Sequence, residues 1–102
     1  MTGSHRLILT YDVRKKLYQA YYRYMLGEFV PAMQELDLKM MFAWHVVGDG
    51  YAQRQVEFLA KTPDIMRSAL LSPTFDEVEN KLKTFTQDFS RKVVRFERPF
   101  QF

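Results

Sequence analysis

The chain contains no cysteine, which excludes disulfide bridges, thiolate nucleophiles and cysteine-ligated metals. Histidine is also scarce: only two occur in 102 residues, and one of them lies near the first residue. We therefore expect neither a metal site nor a cofactor. No apolar run reaches the roughly 18 residues of a membrane-spanning helix, and the polar residues 1–5 do not resemble a signal peptide. These absences favour a cytoplasmic protein without a membrane partner.

Neither sign of charge dominates, since 15 basic and 12 acidic residues leave a net charge of +3. The basic residues are spread along the chain, with only short clusters at residues 14–16 and 91–92. Nucleic-acid-binding proteins usually concentrate basic residues on one face or one helix. We therefore predict that nucleic acid is not a partner.

Aromatic residues are abundant, with nine Phe, six Tyr and one Trp making up 16% of the chain. Because each aromatic side chain buries a large area, a chain of this length can build a real core. The length suits a single domain over residues 1–102. The same residue types are those that a dimer interface or an apolar ligand pocket would use.

The first half of the chain predicts a strand, a long helix and a hairpin. Residues 6–13 favour a strand, with Leu7, Leu9 and Tyr11 on its apolar face. Residues 15–36 carry apolar side chains at three- and four-residue steps, which indicates a helix. Gly27 and Pro31 interrupt this helix and predict a kink, the alternative being two separate helices. Residues 39–47 and 53–60 favour two strands joined by the Gly-Asp-Gly turn at 48–50, and hence an antiparallel hairpin.

The second half predicts a broken helix followed by a strand. Thr62 is a suitable N-cap for a helix that starts at Pro63. The Ser-Pro pair at 72–73 then interrupts the pattern, and the capping-box spacing from Thr74 to Glu77 predicts a restart. Its apolar stripe runs on to Phe89, residues 92–98 favour a last strand, and the aromatic tail 99–102 is expected to dock on the domain.

The order strand, helix, strand, strand, helix, strand is that of an α+β ferredoxin-like βαββαβ domain with a four-stranded antiparallel sheet. Both helices then cover one face of the sheet. The second strand is apolar on both faces, because Met40, Phe42, Trp44 and Val46 alternate with Met41, Ala43, His45 and Val47. Burying about 500 Å² of such surface offers on the order of 12 kcal/mol before the costs of association. We therefore expect a homodimer in which two sheets pack face to face.

This layout resembles the dimeric α+β barrel superfamily, and within it the chain is most similar to NIPSNAP-like proteins and more distantly to antibiotic biosynthesis monooxygenases. The resemblance rests on the strand order, the long first helix, the Trp44-His45 pair, the second helix broken near residues 72–75, and the stretches 10–14, 27–33, 43–45 and 91–96. It covers nearly the whole chain as a layout. It implies two sheets paired into a barrel, often with a small ligand or cofactor-free oxygenation inside.

Several polar residues in the strands are candidates for a site. His45 could act as a base or as a haem or metal ligand, or it could be a hydrogen-bonded structural residue. Its neighbour Trp44 must point to the opposite face of the strand. Glu57 and Arg95 are further catalytic candidates, or they form an ion pair across the sheet. The residues predicted to bind a ligand are Thr10, Asp12, Trp44, His45, Gln55, Glu57 and Arg95.

Four tyrosines, at positions 18, 21, 22 and 24, crowd the first helix and could line a pocket, although a helix face with its hydroxyls at the rim is the commoner arrangement. The leading hypothesis is a barrel dimer that binds a small apolar or aromatic ligand, either between sheet and helices or between the two sheets. One alternative is a cofactor-free monooxygenase. Another is an interaction module in which the dimer itself is the functional object.

Overall fold

The computed structural model describes residues 4–48 and 51–96, and their side chains except at positions 4, 42, 44–48, 51, 52 and 96. Four strands form one antiparallel sheet: β1 (Ser4–Val13), β2 (Lys39–Gly48), β3 (Tyr51–Ala60) and β4 (Thr86–Phe96). Their order across the sheet is β2-β3-β1-β4. This order confirms the α+β ferredoxin-like prediction, with β1 at the centre of the sheet.

The helical stretch after β1 is continuous over residues 15–35, as predicted. It consists of a 3-10 turn (Lys15–Leu17), α1 (Tyr18–Tyr24), a π-helical turn (Met25–Phe29) and α2 (Val30–Glu35). We call it the first helical stretch. The predicted interruption at Gly27 and Pro31 takes the form of this wider turn, in which the Val30 N–H donates to the Met25 carbonyl. Proline lacks an N–H, so a change of hydrogen-bond register next to Pro31 is expected on chemical grounds.

The β2–β3 hairpin is antiparallel, as predicted, while the centre of its turn, at positions 49 and 50, lies outside the described residues. One detail of the predicted pattern is wrong. Met40 pairs with Phe58, but Phe42 pairs with Glu57, so the register shifts between the two β2 positions. This bulge places Met40 on the helix-covered face and Phe42, Trp44 and Val46 at register positions on the other face. The simple two-residue alternation expected for β2 is therefore broken.

The broken second helix is confirmed, as α3 (Pro63–Leu70) and α4 (Pro73–Thr84). Thr62 is the N-cap of α3, and its Oγ1 accepts a hydrogen bond from the Ile65 N–H at 3.1 Å. The capping-box prediction at Thr74 is wrong, because the N-cap of α4 is Ser72, whose Oγ accepts from the Thr74 N–H. The helix can begin earlier because Pro73 suits the first helical turn.

The end of α4 and the start of β4 also differ from the sequence prediction. The helix ends at Thr84, and β4 begins at Thr86, six residues before the predicted start at position 92. Phe89 therefore lies in a strand, and its ring stacks on Tyr11 at 6.0 Å between centroids. Asp88 has a positive φ of 54°, next to a register irregularity in the β1–β4 pairing. An irregular strand start of this kind does not produce a two-residue alternation that a sequence pattern could reveal. The predicted end of the strand at position 98 and the docking of the tail lie outside the described residues.

The core lies between the sheet and the helices. β1 contributes its predicted apolar face, with Leu7, Leu9 and Tyr11, and β3 contributes the residues paired with that face. The fully buried large side chains are Leu7, Leu9, Tyr11, Tyr21, Phe29, Met33, Leu38, Val56, Phe58, Phe75 and Leu82.

None of the helices in the described residues has the length and apolar composition that crossing a bilayer requires.

Candidate functional site

The strand register separates the predicted site residues into two groups. Directly paired residues of neighbouring strands share a face of the sheet. Thr10 pairs with Gln55, and Gln55 pairs with Trp44, so these positions lie on the face without helices. Glu57 and Asp12 lie on the same face, because each is two residues along its strand from Gln55 or Thr10. His45 and Arg95 belong to the helix-covered face, where they pair with Arg54 and His5. The seven predicted residues therefore do not form one cluster.

On the face without helices, Glu57 is the centre of a small polar network. Its Oε1 accepts a hydrogen bond from Arg6 Nη1 at 3.2 Å, and its Oε2 accepts from Gln55 Nε2 at 3.0 Å. Only 8% of Glu57 is exposed. The sequence prediction of a Glu57–Arg95 ion pair is wrong, because the two residues lie on opposite faces and Arg6 is the cation beside Glu57.

Asp12 lies at the far end of this face, where it pairs with Gln53 and Gln87. Its Oδ1 is shielded from solvent and has no hydrogen-bond partner among the described residues. Desolvation, followed by repulsion from Asp88, raises the pKa of the Asp12 carboxyl above its ordinary value. Asp12, which was predicted to bind a ligand, therefore has a carboxyl group that is harder to ionise than usual.

The helix-covered face carries a second set of polar groups, at the same end of the sheet. In one row across the strands, His45 of β2 pairs with Arg54 of β3, and Arg54 pairs with Tyr11 of β1. The side chain of His45 lies outside the described part of the chain. Tyr21 and Tyr22 of α1 pack against this row. We call Tyr11, Tyr21, Tyr22 and Arg54 the tyrosine–arginine site.

Two buried hydroxyl groups meet at this site. The hydroxyl oxygens of Tyr11 and Tyr21 are 2.6 Å apart and form a hydrogen bond in which either residue could be the donor. Their rings meet edge to face, with centroids 5.9 Å apart. Both residues are almost completely buried, so this bond links the centre of the sheet to the first helical stretch.

Arg54 completes the site as a cation held against aromatic rings. Its guanidinium carbon lies 4.8 Å from the centroid of the Tyr22 ring and 5.6 Å from that of the Tyr21 ring. Its Nε is shielded from solvent and has no hydrogen-bond partner within the described ranges. No carboxylate of the described residues forms an ion pair with it. A half-buried cation without a counter-ion is unusual, because buried charges are normally paired.

The hydroxyl groups of the site stay protonated over a wide pH range. Burial raises the pKa of Tyr11 above the ordinary value of 10.0, and the neighbouring Tyr21 raises it further. Burial also raises the pKa of Tyr21, while its hydrogen bond with Tyr11 and the charge of Arg54 oppose that shift. At neutral pH both phenols are therefore hydrogen-bond donors and not phenolates.

One edge of the helix-covered face is open beside Arg54. Ala43 of β2 is exposed, although its partner Val56 on β3 is buried. Tyr22, on the adjacent helix, is 44% exposed. The helices therefore cover Tyr11 of β1 and Val56 of β3 at this point but leave Ala43 of β2 accessible, and Arg54 is half-buried.

A separate cleft of about 470 Å³ lies at the opposite end of the sheet. Its walls come from the end of the first helical stretch, the start of β2 and the start of α3. Among the described residues, no group of three or more His, Cys, Asp or Glu side chains could hold a metal ion there or elsewhere. The cleft is lined by Gln34, Asp37, Leu38, Lys39, Leu59, Lys61 and Ile65.

Sequence reasoning found part of the tyrosine–arginine site. A pocket was one of two interpretations of the tyrosine-rich helix, and Tyr11 was predicted to lie on the apolar face of the first strand. Arg54 was missed because an arginine in a strand normally indicates an exposed side. A usable signal existed in the parity of the strand, since Arg54 shares its alternation with Val56 and Phe58, both buried.

Comparison by structure finds proteins with the same fold. A NIPSNAP family protein from Agrobacterium tumefaciens is 10% identical, with a TM-score of 0.67, over 99% of this chain and 91% of that chain. A hydroxynitrile lyase from Passiflora edulis is 12% identical, with a TM-score of 0.71, over 99% of this chain and 100% of the other. An antibiotic biosynthesis monooxygenase-like protein from Caulobacter crescentus is 8% identical, with a TM-score of 0.68, over 97% and 92%.

No family model matches the sequence, and no curated protein matches it either. The structural matches extend over nearly the whole chain and over nearly the whole of each matched protein. They confirm the predicted similarity to the fold of NIPSNAP-like and monooxygenase-like proteins. At these identities the likeness concerns the fold and not the function.

Proposed function

We propose that this chain, which has the ferredoxin-like α+β fold of NIPSNAP family proteins, forms a homodimer and binds a small aromatic or apolar ligand at the tyrosine–arginine site. The observation that carries the proposal combines aromatic rings, an Arg54 Nε–H without a hydrogen-bond partner among the described residues, and the exposed strand residue Ala43. Ligand sites are typically apolar hollows with a few polar groups aimed into them.

The local packing supports a ligand position beside Arg54. Tyr22 is 44% exposed although Arg54 and Tyr18 pack against its ring, and Ala43 of β2 offers a small exposed side chain. An aromatic ligand at this place would pack against the exposed part of the Tyr22 side chain and cover Ala43. It would also remove the remaining water from around the guanidinium, which strengthens any polar contact made there.

The fold comparisons are compatible with such a site. One structure with this fold is named as a hydroxynitrile lyase and another as monooxygenase-like. Fold alone does not transfer either activity to this chain. Here the argument for a ligand comes from the tyrosine–arginine site, and the fold neighbours show only that such an architecture is compatible with small-molecule chemistry.

The ligand proposal is tested with a panel of small aromatic compounds, using thermal shift first and amide chemical-shift mapping second. We expect at least one compound to bind and to shift the amides of Tyr11, Tyr22 and Arg54. Ala43→Trp should block binding, because it fills the open strand edge with an indole. The matched control Asn80→Trp places the same side chain at an exposed position of α4 and should leave binding unchanged.

Two results would contradict this ligand site. One is that no compound binds the wild-type protein. The other is that the shifted amides lie around the cleft lined by Lys39 and Lys61, at the opposite end of the sheet. In the second case the protein would still bind a ligand, but not at the tyrosine–arginine site.

The homodimer part of the proposal concerns the sheet face without helices. Ile8 lies near its centre, where it pairs with Glu57 on one side and Lys92 on the other. The Arg6–Glu57 ion pair on this face is already partly withdrawn from water, with side-chain exposures of 27% and 11%. A second copy packed on this face would cover the apolar β2 positions Phe42, Trp44 and Val46 together with Ile8.

Sedimentation equilibrium tests the dimer. We expect wild-type protein at micromolar concentration to sediment with the mass of two chains and Ile8→Lys with the mass of one, because the variant places a charge in the buried interface. The control Leu26→Lys changes a residue that is 75% exposed on the first helical stretch and should remain dimeric. A wild-type protein that sediments as a single chain would overturn this part of the proposal.

A further inference from the structure

We infer that the ligand of the tyrosine–arginine site carries an anionic oxygen, as an aromatic carboxylate does, and that Arg54 Nε–H and a hydroxyl of the Tyr11–Tyr21 pair hold that oxygen. This inference rests on the proposed function and adds a chemical class to it. The observations behind it are the unpartnered Arg54 Nε and the 2.6 Å contact between the two hydroxyl oxygens.

The first step concerns the number of hydrogens in the hydroxyl pair. Two phenol groups carry two O–H hydrogens, and the bond between Tyr11 and Tyr21 uses one of them. The hydroxyl that accepts this bond still has its own hydrogen to donate. Because both residues are almost completely buried, that hydrogen needs an acceptor other than bulk water.

The second step concerns the cation. An arginine offers five N–H donors and no acceptor. The site therefore presents Arg54 donors and one hydroxyl donor. Among the described side chains, no carboxylate forms an ion pair with Arg54. A surplus of donors around a single cation favours an oxygen that carries negative charge, because such bonds are about twice as strong as neutral ones.

The third step excludes Asp12, the strand carboxylate next to Tyr11 in the sequence, as a built-in partner. Asp12 follows Tyr11 directly, so its side chain lies on the other face of the sheet. The charge that influences Asp12 is that of Asp88, not that of Arg54. The sheet therefore separates this acid from the cation and leaves the positive charge of Arg54 available to a ligand.

The fourth step explains why the ligand is expected to be aromatic. The guanidinium already lies over the Tyr22 ring at 4.8 Å. A carboxylate attached directly to a ring can bind in the plane of the guanidinium while its ring packs beside Tyr22 and over Ala43. An anion without an apolar body, such as inorganic phosphate, would leave that exposed surface uncovered.

The test compares matched pairs of probes, benzoate with benzamide and 2-naphthoate with 2-naphthamide, by titration near neutral pH with chemical-shift detection. The members of each pair have nearly the same shape and differ in charge. We expect the acid to bind wild-type protein at least tenfold more tightly than the amide, since hydrogen bonds to charged groups contribute about 1.5–3 kcal/mol. Inorganic phosphate should bind weakly or not at all.

Variants at Arg54 and in the hydroxyl pair identify the groups responsible. Arg54→Met should remove the preference for the acid, and Arg54→Lys should keep only part of it because the Nε donor is lost. Of Tyr11→Phe and Tyr21→Phe, the one that removes the hydroxyl donating to the ligand should weaken acid binding by about three- to tenfold. The controls are Arg23→Met, an exposed arginine on the same helix, and Tyr24→Phe, whose hydroxyl donates to the Val78 carbonyl away from the site. Both controls should keep the wild-type preference, and circular dichroism checks that each variant is folded.

The outcomes separate this inference from the proposed function. If acid and amide bind equally well, the proposed ligand site stands and the anionic class is wrong. If the acid is preferred but Arg54→Met keeps that preference while folded, the assignment to Arg54 is wrong. If neither member of any pair binds wild-type protein, the proposed function fails and the inference fails with it.

Discussion

At the scale of single residues, Glu79 shows how a carboxylate is kept inside the domain. It is 7% exposed, lies in α4, and both of its oxygens accept hydrogen bonds from Arg91 Nη1 of β4, at 3.2 and 3.1 Å. The Arg91 guanidinium also lies 5.4 Å from the centroid of the Phe75 ring. This pair therefore ties α4 to an edge strand of the sheet.

We expect Arg91→Met to lower the free energy of unfolding by about 1–3 kcal/mol, because it leaves a buried carboxylate without its charged partner. Urea unfolding at neutral pH measures the change. Arg67→Met is the matched control, since Arg67 pairs with Asp64 on an exposed helix surface and such pairs contribute less than about 1 kcal/mol. Equal effects of the two substitutions would show that burial of Glu79 is unimportant.

A second residue-scale prediction follows from the buried tyrosines. Burial raises the pKa of Tyr11, Tyr21 and Tyr24 in the folded protein, whereas the unfolded chain keeps the ordinary value of 10.0. Above that pH the unfolded state loses protons that the folded state retains, so stability is present below pH 10.0 and falls as the pH rises further. We expect three of the six tyrosines to ionise only when the protein unfolds.

Ultraviolet absorbance of phenolate against pH measures this directly. The phenolate absorbance of Tyr11, Tyr21 and Tyr24 should appear only together with the loss of circular dichroism. If all six tyrosines ionise in a single step while the protein remains folded, the burial of the Tyr11–Tyr21 pair does not persist in solution.

At the scale of elements, the N-cap residues determine where α3 and α4 begin. Thr62 and Ser72 each accept a backbone hydrogen bond at a helix start, and each is followed by proline. The intervening residues cannot continue one helix, because Pro73 has no N–H to donate back to the preceding turn. The break between α3 and α4 is therefore a local property of the sequence.

The position of the second cap can be tested by a pair of substitutions. We expect Ser72→Ala to destabilise the protein by roughly 0.5–2 kcal/mol, because the Thr74 N–H loses its side-chain partner. Thr74→Ala should cost much less, since Thr74 is an exposed residue inside the helix and alanine has the higher helix propensity. Thermal unfolding of both variants gives the comparison. A larger loss at Thr74 would restore the capping box at that residue.

At the scale of the whole molecule, the sheet has one face covered by helices and one face that is not. The described part of the second face is mixed, with Arg6, Thr10, Gln55 and Glu57 beside Ile8. The apolar character expected there comes mainly from the β2 positions after the bulge.

If two copies pack on that face, stability must depend on protein concentration, because dissociation accompanies unfolding. We expect the melting temperature of the wild-type protein to rise with concentration across the micromolar range. Ile8→Lys should melt at a temperature that does not depend on concentration. The dimer would be contradicted by a wild-type melting temperature that stays constant over a hundredfold range of concentration, together with sedimentation as a single chain over the same range.

The sequence by itself determined the element order, the hairpin, the broken second helix and the buried face of β1. These features follow from local patterns: alternation, three- and four-residue spacing, Thr62 and Pro63 at a helix start, and glycine at a turn. Such signals depend on neighbours in the chain, so they can be read without knowledge of the fold.

Only the tertiary structure decided which polar side chains meet. The bulge between Met40 and Phe42 puts these two β2 residues on opposite faces of the sheet. The strand register places Arg6 beside Glu57 and Arg95 on the other face. Arg54 joined Tyr11 and Tyr21 because strand pairing and helix packing bring together residues far apart in the chain. A shift of one residue in pairing reverses every face of a strand, so these contacts depend on register that no local pattern specifies.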